Sequence, residues 1–248
     1  EATSVKLSEI ETEHKLLKTL EDEYDGYDKG VKDILIKLED QNGIIGIVAS
    51  LIEVPKKYET AIEVALGRAI QNIVCEEISD AKRSIDFLRK NDLGRVTFLP
   101  LDHLEDRGQQ NDILEVMKHE KGYIGVAKDL IQMDPRYKKI GEFLLGRILI
   151  VEDFETASRV VRIKNLKYKV ITLNGDVLVP GGAITGGSFR SKVSNILGRK
   201  RRIAELGDQI QSLREDRQKL SVTMGQLMQT VTEQEVIIKE IRLELDAL

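Results

Sequence analysis

Apolar residues recur at alternating steps of three and four along the C-terminal part of the chain, from Ile203 to Leu248. Only Arg217 and Gln234 interrupt this stripe. Two apolar positions in every seven are typical of a coiled-coil seam, since a globular helix has a wider apolar face. At 1.5 Å per residue such a helix would be about 69 Å long. The stripe is still in phase at Leu248 and residue 1 is Glu, so we expect a segment of a longer rod-containing protein.

A second seam with the same spacing lies near the N-terminus. Its positions are Leu17, Leu20, Tyr24, Tyr27, Val31, Ile34 and Leu38. Gly26 and Gly30 fall inside it, and each weakens a helix by about 1 kcal/mol. We therefore predict one helix to about Asp25, a kink, and a second helix to about Asp40, which Gln41-Asn42-Gly43 ends.

The region between the seams has a different pattern, in which short β-branched runs alternate with helical periodicity. The predicted strands are Ile44–Val54, Ile73–Cys75, Val96–Leu99, Ile124–Ala127, Ile148–Val151, Val170–Leu173 and Val177–Val179. The predicted helices are Tyr58–Ala69, Ser79–Asn91, Arg136–Leu145 and Phe154–Asn165. The polar stretch from Glu105 to Gly122 is predicted to be a linker with a short helix.

This region also contains an internal repeat. Leu66-Gly67-Arg68 and Leu145-Gly146-Arg147 each end a predicted helix and lead into a strand, a helix and another strand. Glu63 and Glu142 precede the two triplets at the same distance. The shared order of elements predicts two related half-domains, near residues 44–115 and 120–188.

Two seams flank one globular region, and an isolated coiled-coil seam is not stable in water. The simplest fold enters along one helix, forms the globular part and returns antiparallel along the other, because neighbouring elements usually pair. A parallel dimer or a helical bundle is the alternative. We predict an α/β (α+β) domain of two related half-domains with mixed sheets, flanked by an antiparallel intramolecular coiled coil. The predicted segments are 1–27 (coil), 28–118 and 119–193 (half-domains) and 194–248 (coil, whose far end frays or pairs with a neighbouring molecule).

A glycine-rich segment follows the hairpin turn Asn174-Gly175-Asp176. It contains Gly181, Gly182, Gly186 and Gly187. The spacing partly matches a phosphate-binding P-loop, but Gly187 stands where a lysine must reach the phosphates. The segment also follows a hairpin and does not open a helix, so a nucleotide site is not expected.

Two interpretations of these glycines remain open. They are a flexible turn, or they allow another backbone to approach closely at an edge strand. A symmetric homodimer built by sheet extension would use such an edge.

The stretch between Asp176 and Glu205 contains no acidic residue, although the chain carries a formal net charge of −4. Its cations are Arg190, Lys192, Arg199, Lys200, Arg201 and Arg202. Cations at a helix start oppose the macrodipole, so helix stability does not explain the last four. Contact with DNA phosphates does, and it would be sequence-independent and sensitive to salt. A solvated helix start, neutralised by acids folded nearby, is the alternative.

No motif indicates an enzyme. The three histidines have no metal-like spacing with one another or with Cys75, which lies in an apolar strand. Glu76-Glu77 and Glu152-Asp153 follow strands and fit helix caps. We expect no catalytic residue, metal or cofactor. A single cysteine and the absence of a long apolar run favour a cytoplasmic protein without a membrane segment.

Four separated motifs resemble the hinge of structural maintenance of chromosomes (SMC) proteins, most closely the homodimeric bacterial or archaeal kind. They are Gly46–Val54, Tyr58–Gly67, Gly94–Asp102 and the segment Gly181–Ser188 after Asn174-Gly175-Asp176. The resemblance covers roughly residues 31–202. It implies a toroidal hinge homodimer with the four glycines at the dimer contact, and antiparallel arms that lead to ATPase heads and accessory subunits outside this chain. It also implies DNA contact near the start of the long helix.

The expected function is therefore a non-enzymatic hinge module of a chromosome-organising SMC ATPase. It would join two coiled-coil arms, contact DNA without sequence preference, and act with the nucleoid in chromosome condensation and segregation. The alternative is a structural cap of a coiled coil that dimerises without contacting DNA.

Overall fold

The computed structural model describes residues 2–38, 43–105, 111–187 and 196–246. Its α-helices are α1 (Ala2–Asp22), α2 (Lys29–Leu38), α3 (Val48–Leu51), α4 (Glu59–Leu66), α5 (Ile78–Lys90), α6 (Asn111–Met117), α7 (Lys138–Leu145), α8 (Phe154–Val160) and α9 (Ile196–Asp246). Its strands are β1 (Ile44–Ile47), β2 (Ile52–Glu53), β3 (Ile73–Cys75), β4 (Phe98–Pro100), β5 (Tyr123–Val126), β6 (Gln132–Met133), β7 (Ile148–Val151), β8 (Lys169–Thr172), β9 (Val177–Leu178) and β10 (Ile184–Thr185).

The chain divides into two compact units. One contains Tyr24–Gly198, and the other contains Glu1–Glu23 with Arg199–Leu248. Short 3₁₀ helices lie at Lys56–Tyr58, Gly67–Gln71, Ala127–Leu130 and Pro135–Tyr137. None of the described helices combines the length and the apolarity that crossing a membrane requires.

The globular unit is built from two copies of one arrangement. In the first, β1 is antiparallel to β3, which is parallel to β4. In the second, β5 is antiparallel to β7, which is parallel to β8. Both copies have a bulge at the same place, beside Gly46 in β1 and Gly125 in β5. The repeat that the sequence predicts is therefore confirmed.

The two half-domains also share a small sheet. Strand β2 of the first half pairs antiparallel with β6 of the second, with Glu53 opposite Gln132. Since β2 and β6 occupy equivalent places in the repeat, this pairing relates the halves by a local twofold. One buried apolar cluster contains residues from both halves, including Ile73 and Ile150. A second contains Leu149 and Tyr168 of the second half together with Met117 of α6.

The sheets of the two halves differ in extent. The first half has three strands in the order β1-β3-β4, whereas the second has five in the order β10-β9-β8-β7-β5. The prediction of one strand over Ile44–Val54 is wrong, because α3 separates β1 from β2. Strands β6 and β10 were not predicted, and each is only two residues long.

Other predicted elements are confirmed with changed bounds. Strands β3 and β7 match the predictions residue for residue. Helix α5 begins one residue early, behind a capping box formed by Glu77 and Asp80. The helix predicted over Phe154–Asn165 ends at Val160, and Asn165, with a φ of 64°, lies outside it.

The helical unit is an antiparallel coiled coil within one chain, as predicted. Arg202 Nε lies 2.8 Å from Glu13 Oε1, and farther along α9, Arg214 Nη2 lies 2.7 Å from Glu11 Oε1. Leu7 and Leu206 are buried in the seam. Helix α1 ends at Asp22, and positive φ values at Tyr24 and Gly26 form the break before α2.

The far part of α9 has no partner among the described residues. Leu220, Leu227 and Leu245 are each more than half exposed. The predicted difference in length between the two helices is therefore confirmed, while the proposed pairing of the overhang stays a prediction. The residues Gln41 and Asn42 of the predicted stop signal lie outside the described part of the chain.

Candidate functional site

The glycine segment forms a tight hairpin between β9 and β10. Ile184 pairs with Leu178, and Thr185 pairs with Val177. The turn is closed by a hydrogen bond from Val179 N to Ala183 O (2.9 Å) and another from Gly182 N to Val179 O (3.1 Å). A strand of only two residues, Ile184 and Thr185, gives little signal in the sequence, which is why β10 was missed.

The hairpin turn and β10 are exposed. All residues from 181 to 187 are exposed, and Ile184, the first residue of β10, is 60% exposed. A Cβ atom added to Gly181, Gly182 or Gly187 would meet nothing within 4 Å, but all three have positive φ, which favours glycine. Within the chain these glycines therefore allow the backbone to adopt positive φ. They also leave the main-chain atoms uncovered by side chains.

Position 186 requires a glycine for a different reason. A Cβ there would lie 2.6 Å from Asp176 Oδ1. The Asp176 side chain accepts a hydrogen bond from Thr172 Oγ1 (3.0 Å), and the Thr172 hydroxyl accepts one from Asp176 N (3.0 Å). This network fixes the turn that leads into β9, so a larger residue at position 186 would disturb the hairpin itself.

The strand order leaves several outer strands with an open edge, and two of them, β10 and β4, bear on pairing with another chain. In the described residues no strand pairs with the outer side of β10, and none pairs with the outer side of β4 in the first half. Strand β4 occupies the place that β8 has in the second half, where β9 adds to it. The edge of β10 can therefore add to another sheet, and the edge of β4 lacks the strand that β9 supplies in the second half.

The basic run at the start of α9, Arg199–Arg202, is predicted from the sequence to contact DNA together with Arg190 and Lys192. Its first residue is buried. Arg199 is 6% exposed, and its Nη1 donates to the carbonyl of Leu20 (3.0 Å) at the end of α1. The last carbonyls of a helix lack partners inside the helix, and a cation there also complements the dipole. Arg199 therefore caps α1. Burial raises the pKa of Glu21, which lies 3.5 Å away, and Arg199 opposes that rise.

The neighbouring cations are paired to different degrees. Arg202 donates from Nε and Nη2 to the carboxylate of Glu13 (2.8 and 2.9 Å), and these hydrogen bonds lower the pKa of Glu13. Arg201 forms an ion pair with Glu205 one turn along α9. Lys200 is exposed. Arg190 and Lys192 lie outside the described residues.

The residues that could in principle take part in catalysis are buried in the core or cap a helix. Cys75 is fully buried, and burial raises the pKa of its thiol to about 11. Asp153 Oδ1 accepts a hydrogen bond from Thr156 N (2.8 Å) and caps α8, as predicted. Among the described residues, no group of three acidic, histidine or cysteine side chains could hold a metal ion.

Sequence reasoning missed two features of this region. The capping role of Arg199 depends on α1 and α9 being antiparallel neighbours. The residues next to Arg199 in the sequence give no signal of this role. The edge β10 carries a weak signal, since Ile184 and Thr185 are β-branched residues between glycines.

Comparison with known proteins agrees with this fold. Residues 41–161 match the family described as the flexible hinge domain of SMC proteins. The chain is 41% identical over 215 residues to the chromosome partition protein Smc of Desulfitobacterium hafniense, a match that covers 85% of this chain and 18% of the relative. It is 37% identical to Smc of Bacillus subtilis, with 81% and 17% covered. The chain thus spans under a fifth of the length of these relatives.

Solved structures give the same result. An asymmetric dimer of the Geobacillus stearothermophilus SMC hinge domain matches with a TM-score of 0.80 and 33% identity, covering 89% of this chain and 88% of that one. The Pyrococcus furiosus SMC hinge domain matches with a TM-score of 0.54 and 30% identity, covering 77% and 92%. This chain belongs to the family of SMC hinge domains.

Proposed function

We propose that this chain is a non-enzymatic module that joins two copies of itself through the exposed edge of β10. The observation that carries the proposal is that the outer side of β10 is open and that Ile184, its first residue, is 60% exposed. Such an edge is a template for pairing with another chain. The Geobacillus stearothermophilus hinge, which is similar to this chain, was solved as a dimer.

The pairing partner for β10 would be β4 of the second copy. Each chain then contributes one β10 and one β4, so two identical contacts close a ring of two subunits. Main-chain hydrogen bonds would supply affinity, and Ile184 would be buried. Gly181, Gly182 and Gly187 would let the partner approach, because no side chain stands in its way.

Charge supports contact between unlike halves. Residues 28–118 contain 13 basic and 17 acidic residues, whereas residues 119–193 contain 13 basic and 8 acidic residues. The first half is thus net negative and the second net positive. Opposite charges on two surfaces speed their encounter and disfavour pairing of like halves.

The test is the solution mass of the Ile184→Asp variant, measured by light scattering and sedimentation. The wild type should have twice the chain mass of 28.0 kDa, and the variant should be monomeric because a carboxylate at the centre of the contact would be desolvated. Ile78→Asp, at a position 49% exposed in the first half, is the matched control and should stay dimeric. A dimeric Ile184→Asp variant, or a monomeric wild type, would contradict the proposal.

Ile184 is a better probe than the glycines. Larger residues at Gly181, Gly182 or Gly187 would be strained by positive φ in the monomer, and one at Gly186 would meet Asp176. Loss of the dimer in those variants could therefore follow from a changed hairpin. Ile184 has little packing to lose within the chain.

The relatives are much longer than this chain, and the proposal extends to a protein of their length. There the module would join two coiled-coil arms of an SMC ATPase that acts in chromosome condensation and segregation, with the ATPase heads and accessory subunits outside this chain. The relatives' name, chromosome partition protein, supports this extension.

DNA contact through the basic run is the second part of the proposal. Arg199 is withdrawn from it by its role as a cap, and Arg201 and Arg202 are partly neutralised by Glu205 and Glu13. Lys200, with Arg190 and Lys192, would carry the contact. A Lys200→Gln variant should bind duplex DNA more weakly and with a smaller salt dependence. Unchanged affinity at low salt would favour a structural cap without a DNA role.

A further inference from the structure

A separate basic surface lies in the second half, around the turn between α8 and β8. From Thr156 to Gly175 the sequence contains no acidic residue. Its cations are Arg159, Arg162, Lys164, Lys167 and Lys169, and all five are exposed. We call the surface formed by Arg147, Arg162, Lys164, Lys167 and Lys169 the α8–β8 surface.

Local hydrogen bonds hold this turn in one conformation. Arg162 N donates to Arg159 O (3.2 Å), and Ile163 N donates to Val160 O (3.0 Å). Along the following residues burial alternates: Leu166 and Tyr168 are buried, so Lys167 and Lys169 lie on the exposed side. Period-2 alternation spaces these two lysines by about 6.7 Å along the chain.

Arg147 adds to the same edge of the sheet. Strands β7 and β8 are parallel, with Ile148 opposite Lys169, and Lys169 N donates to Arg147 O (3.1 Å). The beginnings of both strands therefore lie side by side. Arg147 and Lys167 also make contacts of their own, and Arg159 is held by Glu120 (2.8 Å).

Three of these cations are not neutralised. Among the described residues no carboxylate lies within 4.0 Å of the charged groups of Arg162, Lys164 or Lys169. The equivalent turn of the first half, between α5 and β4, differs. There Asp86 and Asp92 interrupt the cations, and Arg89 lies 3.7 Å from Asp86. The positive charge is thus a property of the second half and not of the repeated fold.

The surface lacks the features of a protein docking site. No large apolar side chain is exposed between Phe154 and Val179. Interfaces between proteins depend on aromatic or aliphatic anchors, whereas phosphate contacts need only charge and hydrogen-bond donors. The aromatic residue of the segment, Tyr168, is fully buried, so no platform for stacking unpaired bases is present on it.

We propose that the α8–β8 surface binds the phosphate backbone of duplex DNA without sequence preference. Arg162, Lys164 and Lys169 contact phosphates, and counterion release drives the association. The surface is distinct from the basic run at the start of α9, and its action does not depend on dimerisation through β10.

The test compares two triple variants of the whole 248-residue chain that remove equal charge. The first is Arg162→Gln, Lys164→Gln and Lys169→Gln. The control is Lys219→Gln, Lys239→Gln and Arg242→Gln, at exposed positions of α9. Binding of a labelled mixed-sequence 30-base-pair duplex (about 100 Å) is measured by fluorescence anisotropy over a range of salt concentrations. Circular dichroism and light scattering report folding and dimerisation.

The first variant should bind at least about tenfold more weakly at low salt, and its slope of log affinity against log salt should fall by about 2.7, or 0.9 for each lost phosphate contact. The control should retain the wild-type slope. Wild-type affinity and slope in the first variant would overturn the proposal, as would equal loss in the control. Equally tight, equally impaired binding of polyglutamate would assign the surface to acidic proteins. Loss of binding in Lys200→Gln alone would place the contact on α9 instead.

Discussion

The two half-domains of the globular unit share an order of elements, yet they differ in what their sheets leave open. The first half ends at β4, while the second continues through β9 to β10. The same arrangement of strands thus provides a vacant edge in one copy and a projecting edge in the other. A repeated fold can in this way supply both sides of a contact between two identical chains.

The halves also differ in surface chemistry. The turn between α8 and β8 carries cations without acids, whereas the equivalent turn between α5 and β4 mixes both signs. Backbone topology is therefore shared, but charge is not. A function that depends on charge cannot be transferred from one half to the other by the repeat alone.

A third difference lies in the core. Ile150 faces a cluster that includes Ile73 of the first half, while Leu149 beside it on β7 faces a cluster built from the second half and α6. Adjacent residues of a strand point to opposite faces of the sheet, which explains the division. The outer face of β7 therefore packs against a cluster that is separate from the one shared by the two half-domains.

The largest expected effect comes from cavities on the two faces of β7. Ile150→Ala and Leu149→Ala should each lower the free energy of unfolding by about 3 kcal/mol, because both side chains are fully buried. They should differ in hydrogen exchange: Ile150→Ala should reduce protection of β3 amides in the first half, and Leu149→Ala should not. Equal loss of β3 protection in both variants would show that the two clusters act as one core.

A smaller effect is expected from an ion pair that only the second half has. Lys128 Nζ lies 2.7 Å from Glu142 Oε1, and the two side chains are 15% and 18% exposed. The place of Lys128 in the first half is taken by Ala49, which is buried. Lys128→Met should cost about 2 kcal/mol in urea denaturation, since it leaves a largely buried carboxylate without its partner.

The matched control for this change is Lys118→Met, which breaks the exposed pair with Glu115 and should cost less than about 0.5 kcal/mol. Adding Glu142→Leu to Lys128→Met should recover most of the loss, because an apolar pair can replace a buried ion pair. If the double variant is no more stable than the single one, packing and not charge explains the cost.

Periodicity predicted most of this fold. Strands β3 and β7 are continuous apolar runs, and the seams of α1 and the first part of α9 follow three-four spacing, so local pattern and burial agree there. The pattern failed over Ile44–Val54, where α3 interrupts an apolar stretch that propensity alone favours as a strand. An apolar run without a clear period does not distinguish a strand from a helix, so tertiary packing decides its conformation.

The candidate site was less predictable than the fold. The glycines identified the hairpin, but the open edges depend on which strands become neighbours across the whole half-domain. Arg199 illustrates the same limit for charge. Its sequence context is basic and acid-free, yet a helix distant in sequence places the Leu20 carbonyl beside it and turns a surface cation into a cap.

The uncovered main chain between Gly181 and Gly187 changes what truncation experiments can measure. Alanine scanning normally removes atoms from a contact, but at a glycine it adds a methyl group. At Gly181, Gly182 and Gly187 it does so where φ is positive. Such a scan would report the conformational cost to the free hairpin and attribute it to binding. Chemistry aimed at the peptide groups, such as replacing one amide of β10 by an ester, would remove a single donor and leave every side chain in place.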